Sequence, residues 1–174
     1  MDCIKGNNIG LKPKRLFFYN LLMTFIPETS CFALKRGLLR WCGATIGKNV
    51  RICSSARFYG TGEFEIGEET WIGHHSLMIV SARVFIGAYV DIAPWVYIGT
   101  GSHEIDREGL HSAGKGISQP VIIEDGCWLG ARAMVLPGVT IKHKAVVGAG
   151  ALVTKDVAAR TVALGAPARE VRKI

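Results

Sequence analysis

The sequence IEDGCWLGARAMVLPGVTIKHKAVVGAGALV, residues 123–153, decides the fold because an aliphatic residue returns at every sixth position. The members of this series are Ile123, Leu129, Val135, Ile141, Val147 and Val153. A period of six fits neither an α-helix nor a long strand, and is typical of a short strand and a tight corner repeated as a parallel β-helix. A small or short residue stands four positions after each aliphatic one, and we expect both to face inward. Glycine, Asn and Asp are expected at the corners, where a positive φ is often needed.

The same spacing extends back to residue 46 and divides the chain into groups of three aliphatic positions. The groups begin at residues 46, 66, 86, 123 and 141. Two additional residues separate each of the first three groups, and nineteen separate the third from the fourth. Three strands per turn predict an all-β solenoid, a triangular prism of about five coils over residues 43–158. The insertions all fall at one corner of this prism.

The longest insertion, residues 100–121, is expected to protrude as a loop from that corner. It begins with the sequence TGSHE, so that His103 stands where the repeat breaks. Long loops on a rigid scaffold usually carry function.

The net charge of +7 is concentrated at the two ends of the chain. Residues 1–45 hold seven basic and two acidic side chains, residues 155–174 hold five and two, and the middle holds nine and ten. No basic stripe with interleaved aromatic residues runs through the repeat, so no nucleic-acid partner is expected. The distribution favours an anionic ligand at the C-terminal tail, residues 159–174.

The five cysteines are odd in number and form no metal-binding or redox spacing, which indicates reduced thiols in a cytoplasmic protein. No signal peptide is visible. The segment 1–42 lies outside the repeat and is expected to form two short helices with basic flanks, split at Pro27. It either caps the open end of the prism or lies on an anionic membrane as a peripheral contact; we favour the cap.

The C-terminal sequence VIIEDGCWLGARAMVLPGVTIKHKAVVGAGALVTKDVAARTVALGAPAREVRKI, residues 121–174, resembles the hexapeptide-repeat acyltransferases. Within them the chain resembles the group that holds the galactoside, maltose and nodulation-factor acetyltransferases and the exopolysaccharide O-acetyltransferases. The resemblance covers residues 40–174. It implies a left-handed parallel β-helix, a homotrimer, and acetyl-CoA bound as a co-substrate between neighbouring subunits.

The resemblance also implies roles for individual residues. His103 matches the catalytic histidine of the family, and His74 in the sequence GHHS replaces a polar residue that contacts the acceptor, an asparagine in the galactoside enzymes. The positions that match contacts with acetyl-CoA are Trp128, Ala131, Ala149, Thr154, Lys155, Arg169 and Arg172.

The chemistry of acyl transfer agrees with the role implied for His103. A hydroxyl acceptor needs a general base, and histidine has an ordinary pKa near neutrality. No cysteine matches a nucleophile position, which favours direct attack by the acceptor. The sequence leaves open whether Glu104, Asp91 or a backbone carbonyl orients the ring.

Several side chains have two interpretations that the sequence does not separate. Trp95 and Tyr97 should point outward and either stack on a sugar ring or pack under the loop. Either one of the adjacent residues His74 and His75 meets the acceptor, or the pair lies at the surface or at a subunit interface. Arg169 and Arg172 either clamp the phosphates of CoA or are solvated; we favour the clamp.

The expected function is therefore acetyl-CoA-dependent O-acetylation of a sugar hydroxyl, in the assembly of a surface polysaccharide. The rivals are an amino-sugar or antibiotic acetyltransferase of the same fold and a non-catalytic β-helical scaffold. No metal is expected, because no two histidines are five residues apart, as they are in the three-histidine sites of hexapeptide-repeat carbonic anhydrases.

Overall fold

The computed structural model describes residues 10–174, which form a left-handed parallel β-helix with a helical segment at its N-terminal end and one protruding hairpin. The predicted fold class is confirmed. Five coils are complete, and a sixth begins at Val157, which bridges Ile141 in parallel, and continues with strand β18.

Two α-helices precede the β-helix: α1 (Pro13–Leu22), followed by a single 3₁₀ turn (Met23–Phe25), and α2 (Phe32–Trp41). The strands are short, two to six residues each. They are β1 (Thr45–Ile46), β2 (Arg51–Ile52), β3 (Arg57–Gly60), β4 (Phe64–Ile66), β5 (Trp71–Ile72), β6 (Leu77–Val80), β7 (Val84–Ile86), β8 (Asp91–Ile92), β9 (Tyr97–Gly99), β10 (Gly101–Ile105), β11 (Ala113–Ser118), β12 (Val121–Ile123), β13 (Trp128–Leu129), β14 (Met134–Val135), β15 (Thr140–Ile141), β16 (Val146–Val147), β17 (Leu152–Val153), β18 (Thr161–Leu164) and β19 (Arg169–Lys173).

The strands form the three faces of the prism. Sheet A has the order β1-β4-β7-β12-β15, and sheet C has the order β17-β14-β9-β6-β3. Sheet B has the order β19-β18-β16-β13-β8-β5-β2. Within each sheet the aliphatic position of one coil pairs in register with that of the next, as in the ladder Ile46, Ile66, Ile86, Ile123 and Ile141.

The core consists of the two inward positions that the sequence predicts. The aliphatic residues are buried throughout, and in most repeats the residue four positions later is buried as well, for example Thr70, Cys127 and Ala145. The exceptions stand where residues are inserted: Gly62 and Ala82 are half-buried, and Ser102, which was expected to face inward, is exposed at the start of the insertion. Small residues at the second position leave room for the large ones, because three strands converge on a narrow prism.

The corners differ from expectation. Asn49, Gly126 and Gly150 have the left-handed φ, but Tyr89 and Trp95 do too, at φ 55° and 65°. Left-handed backbone costs roughly 1–2 kcal/mol in a non-glycine residue. The geometry of the coil imposes a positive φ on any residue at the turn. The positions of the glycines therefore do not predict where the corners are.

The insertion after the third coil forms an antiparallel hairpin of β10 and β11 rather than an irregular loop. Its base is fixed by Thr100, which is fully buried. The Thr100 hydroxyl accepts hydrogen bonds from the backbone N–H groups of Ser81 and Ala82 and donates one to the carbonyl of Ile79.

The helical segment covers the first coil through its basic side chains. The Lys35 ammonium is buried and donates to the carbonyls of Pro27, Glu28 and Ile52. Two arginines of α2 act in the same way: Arg36 donates to Val50, and Arg40 donates to Ile46 and Gly47. The carbonyls of Ile46, Val50 and Ile52, to which a preceding coil would otherwise donate hydrogen bonds, are satisfied in this way.

The segment 159–174 contains the hairpin of β18 and β19, which extends sheet B at the C-terminal end. Three of the four described cysteines, Cys42, Cys53 and Cys127, are buried and all four are free, whereas Cys3 lies outside the described residues. Among residues 10–174, no helix has the length and apolar character needed to cross a bilayer.

Candidate active site

His103 lies on β10, exposed on one side of the protruding hairpin and opposite Gly116 in the ladder. Its Nδ1 is 2.9 Å from the carbonyl oxygen of Gly114. Because a carbonyl oxygen only accepts hydrogen bonds, Nδ1 carries the proton and Nε2 of the neutral ring keeps its lone pair. The sequence left open whether Glu104, Asp91 or a carbonyl orients the ring, and in the structure the ring contacts a carbonyl.

A shallow cavity of about 450 Å³ adjoins the ring. Its lining is small and polar where it meets the hairpin, with Ser102 and Ser118 beside His103, and apolar at Ile79. A cleft with this lining has room for a hydroxyl group beside the His103 ring.

His74 is held by a glutamate that the sequence analysis did not single out. Its Nδ1 is 3.2 Å from Oε2 of Glu28, in the turn between the two helices. The same oxygen accepts hydrogen bonds from the backbone N–H and the hydroxyl of Ser55. Burial raises the pKa of Glu28, but the hydrogen bonds from Ser55 and the neighbouring His74 outweigh it, so that this pKa lies below its usual value.

The corner next to His74 carries a stacked pair of rings. His75 and Trp95 occupy the same corner in successive coils, with ring centroids 4.4 Å apart and planes 22° apart. Both residues have a positive φ, which turns their side chains outward. They line a groove of about 390 Å³, whose other residues are Ser55, Arg57, Tyr59, Ser76 and Leu77.

Of the three residues expected to contact the acceptor, the groove includes only Trp95. The imidazole of His74 turns away to Glu28, and its neighbour His75 lines the groove instead. Tyr97 points outward, as expected, but lies across Gly99 at the start of the hairpin, where a Cβ on that glycine would collide with the phenol.

A second groove, of about 620 Å³, runs along sheet B and is almost wholly apolar. It contains Trp128, Ala131, Ala149 and Arg172, four of the seven positions expected to contact acetyl-CoA. The remaining lining residues are Ala93, Gly130, Val146, Val147, Gly148, Val162, Leu164 and Ile174. Small side chains on several successive coils leave a channel wide enough for a flexible arm, and Arg172 places a cation at one end.

The other three positions lie outside this groove. Thr154 and Lys155 are exposed and follow β17. Arg169 begins β19 and donates to the carbonyl of Ala168. Arg169 and Arg172 are therefore both on β19, and both are exposed.

One cluster within residues 10–174 has the composition of a metal site. Ligand atoms of Glu28, Cys53 and His74 lie within 4.8 Å of one another. Burial raises the pKa of Cys53 to about 11, so the thiol is protonated, and the Lys35 ammonium bonds two backbone carbonyls beside it. A neutral thiol and an adjacent cation both oppose a metal ion.

No prediction from the sequence concerned Glu28, and the sequence did not decide between His75 and His74. Glu28 carried a signal, since it is the sole acidic residue between positions 10 and 60. Its partner Ser55 is 27 residues away, and the contact depends on how the helical segment packs on the first two coils. For His75, the alternation of the strands did not show which of two adjacent histidines the corner turns outward.

Residues 120–155 match the family described as "hexapeptide repeat of succinyl-transferase". Among curated proteins, the chain is 32% identical over 166 residues to the galactoside O-acetyltransferase of Escherichia coli K12, covering 95% of this chain and 81% of that protein. It is 36% identical over 136 residues to the putative colanic acid biosynthesis acetyltransferase WcaF of the same organism, covering 78% and 72%.

Among solved structures, a hexapeptide-repeat acetyltransferase from Vibrio cholerae in complex with acetyl-CoA superposes with a TM-score of 0.74. The two are 27% identical, and the match covers 92% of this chain and 85% of that one.

Proposed function

Because the chain belongs to the hexapeptide-repeat acetyltransferases, we propose that it transfers the acetyl group of acetyl-CoA to a hydroxyl group of a sugar. The observation that carries the proposal is the hydrogen bond between His103 Nδ1 and the Gly114 carbonyl, because it leaves Nε2 free to accept a proton. The same bond stabilises the imidazolium that forms when Nε2 is protonated.

The proposed step is direct transfer. Nε2 of His103 accepts the proton of the sugar hydroxyl while the hydroxyl oxygen attacks the thioester carbonyl. The carbon–sulfur bond then breaks, and the proton passes from Nε2 to the departing sulfur, so His103 is returned to its neutral form. The products are an acetyl ester and the free thiol of CoA.

The groove on sheet B fits the shape and charge of CoA. Trp128, Ala131 and Ala149 would lie along the pantetheine arm, and Arg172 would meet a phosphate at its end. Thr154, Lys155 and Arg169 are proposed to contact the rest of the nucleotide. Support comes from the acetyl-CoA complex of the structural neighbour from Vibrio cholerae.

We further propose that the active unit is a homotrimer. The groove on sheet B and the cavity beside His103 share no lining residue, so each chain holds two separate halves of a site. A neighbouring copy would bring its groove to the His103 of this chain. A site between subunits needs the cofactor groove and the His103 cavity to lie on different faces of the prism, as they do here.

The acceptor is proposed to be a sugar, and we place His74, Trp95 and Tyr97 on its path. The stacked His75 and Trp95 rings offer a flat apolar surface to the C–H face of a sugar ring. The likeness to a putative colanic acid acetyltransferase favours a precursor of a surface polysaccharide in the cytoplasm.

The test measures release of CoA thiol with a panel of neutral sugars, amino sugars and nucleotide sugars, followed by the mass of each product. An acetyl ester is cleaved by mild alkali or hydroxylamine, whereas an acetamide survives. Turnover with a neutral sugar and an alkali-labile product support the proposal. Stable products from amino sugars alone would replace it with N-acetylation, and release of CoA with no acceptor requirement would contradict both.

A further inference from the structure

Helix α1 is apolar on two opposite faces. The inner face packs on the first coil through Leu16, Tyr19 and Met23, each 1–2% exposed. The outer face consists of Phe17, Phe18, Leu21, Leu22 and, in the following 3₁₀ turn, Phe25. These five side chains are between 43% and 80% exposed. A helix that is apolar all round is normally buried on all sides, so the outer face of α1 requires a partner.

The charges around this face are of one sign. Residues 10–27 contain Lys12, Lys14 and Arg15 and no acidic residue. Lys14 is exposed and stands one turn before Phe18, on the same side of the helix. Arg15 lies over the ring of Trp41, 4.8 Å from its centroid, and Trp41 extends the apolar surface onto α2.

This end of the molecule also holds all of its net positive charge. Residues 10–60 contain nine basic side chains and one acidic one, which gives +8, whereas residues 61–174 contain eleven and twelve, which gives −1. The one acidic residue, Glu28, already accepts hydrogen bonds from Ser55 and lies against His74. The outer face of α1 therefore lies at the end of the molecule that carries the net positive charge.

We propose that the outer face of α1 docks on an anionic lipid leaflet, with the helix axis in the plane of the membrane. Three large aromatic rings and two leucines enter the boundary between headgroups and acyl chains, and the flanking cations meet the lipid phosphates. A second copy of the chain is the less suitable partner, because face-to-face contact would bring two ends of charge +8 together. A nucleic acid would meet the cations but leave the apolar side chains in water.

The test is co-sedimentation of the full chain with two kinds of vesicle, phosphatidylcholine alone and phosphatidylcholine with 30% phosphatidylglycerol. Binding to the anionic vesicles that weakens as salt rises is expected. Phe18→Ser with Phe25→Ser should weaken it ~tenfold or more. Lys14→Gln should weaken it about fivefold, the loss expected for one cation. The matched controls are Leu110→Ser, an exposed apolar residue of the protruding hairpin, and Lys142→Gln, an exposed lysine of the last coils.

Size-exclusion chromatography with light scattering measures the molar mass of the same variants. It distinguishes a face that binds lipid from a face that another copy of the chain covers. Unchanged molar mass together with lost vesicle binding supports the proposal. A smaller assembly for the double Phe variant would show that another copy covers the face and would overturn it. Equal binding to both kinds of vesicle, or no binding by the unmodified chain, would overturn it as well.

Discussion

The ring of His103 is oriented by a backbone atom of its own hairpin, not by an acidic side chain. The Gly114 carbonyl belongs to β11, and its position depends on the pairing of β10 with β11. The tautomer of the ring therefore depends on the folding of the hairpin, and a carboxylate is not needed to select it.

His103→Ala should lower kcat for acetyl transfer by ~10²–10⁴, because the step loses its general base. KM for acetyl-CoA and the urea midpoint should change little, since the side chain is exposed. Steady-state kinetics at saturating acceptor check this, with His111→Ala in the same hairpin as the control. A kcat near that of the unmodified enzyme would rule out the assigned role.

Glu28 links the stability of the helical segment to pH. Its pKa in the folded protein lies below the ordinary 4.5, so folding favours the carboxylate form. This contribution is present above pH 4.5 and is lost as the pH falls through the lower, folded-state pKa. Glu28→Gln should lower the urea midpoint at pH 7 and reduce its dependence on pH below 4.5. Glu68→Gln, at an exposed corner, is the control, and an identical acid dependence in both variants would contradict the linkage.

At the scale of elements, the helical segment combines features that the sequence presents as alternatives. A cap and a membrane-binding surface were expected to exclude each other, because a cap was assumed to bury the apolar face. One face of α1 is buried and the opposite face is exposed. Of the six cations between residues 10 and 42, Lys35, Arg36 and Arg40 donate to carbonyls of the first coil, and only those before the apolar run flank the outer face.

The repeat could be predicted because the buried position of each strand must be apolar in every coil. The sequence therefore shows an aliphatic residue at every sixth position within each coil. The contacts of Lys35 could not be predicted. A lysine that is exposed on a helix and a lysine that is buried against three carbonyls look alike in the sequence. The pairing of Glu28 with His74 joins residues 46 positions apart and was equally hidden.

Lys35→Met should lower the free energy of unfolding by about 2–3 kcal/mol, because three carbonyls lose a charged donor while the packing volume is kept. Urea unfolding followed by circular dichroism measures the change. Lys48→Met, at an exposed corner of the first coil, should have almost no effect. Equal stability of the two variants would show that water replaces the ammonium without cost.

At the scale of the whole molecule, the three faces of the prism differ in character. Sheet B carries the groove assigned to CoA. The outward residues of sheet C are mostly apolar: Leu77, Ile79, Tyr97, Met134 and Leu152. Those of sheet A include Thr45, Glu65 and Thr140. Sheet C is therefore the face best suited to contact a neighbouring subunit.

Met134→Glu should dissociate the proposed trimer, because Met134 is exposed on this apolar face between Tyr97 and Leu152, and a carboxylate there would be buried unpaired. Loss of assembly in light scattering should coincide with loss of acetyl transfer if the site is completed by a second copy. Ile122→Glu on sheet A is the matched control. Full activity in a monomeric Met134→Glu protein would contradict a shared site.

The closure of both ends of the prism bears on polymerisation. A stack of identical parallel coils ends in unpaired strands, and such an edge is a template on which the first coil of another molecule can continue the ladder. Here the N-terminal edge meets the ammonium and guanidinium donors of α2, and the C-terminal end of sheet B finishes in the antiparallel strand β19. Neither end offers the parallel partner that a head-to-tail filament needs, so the same elements that complete the fold also keep its length finite.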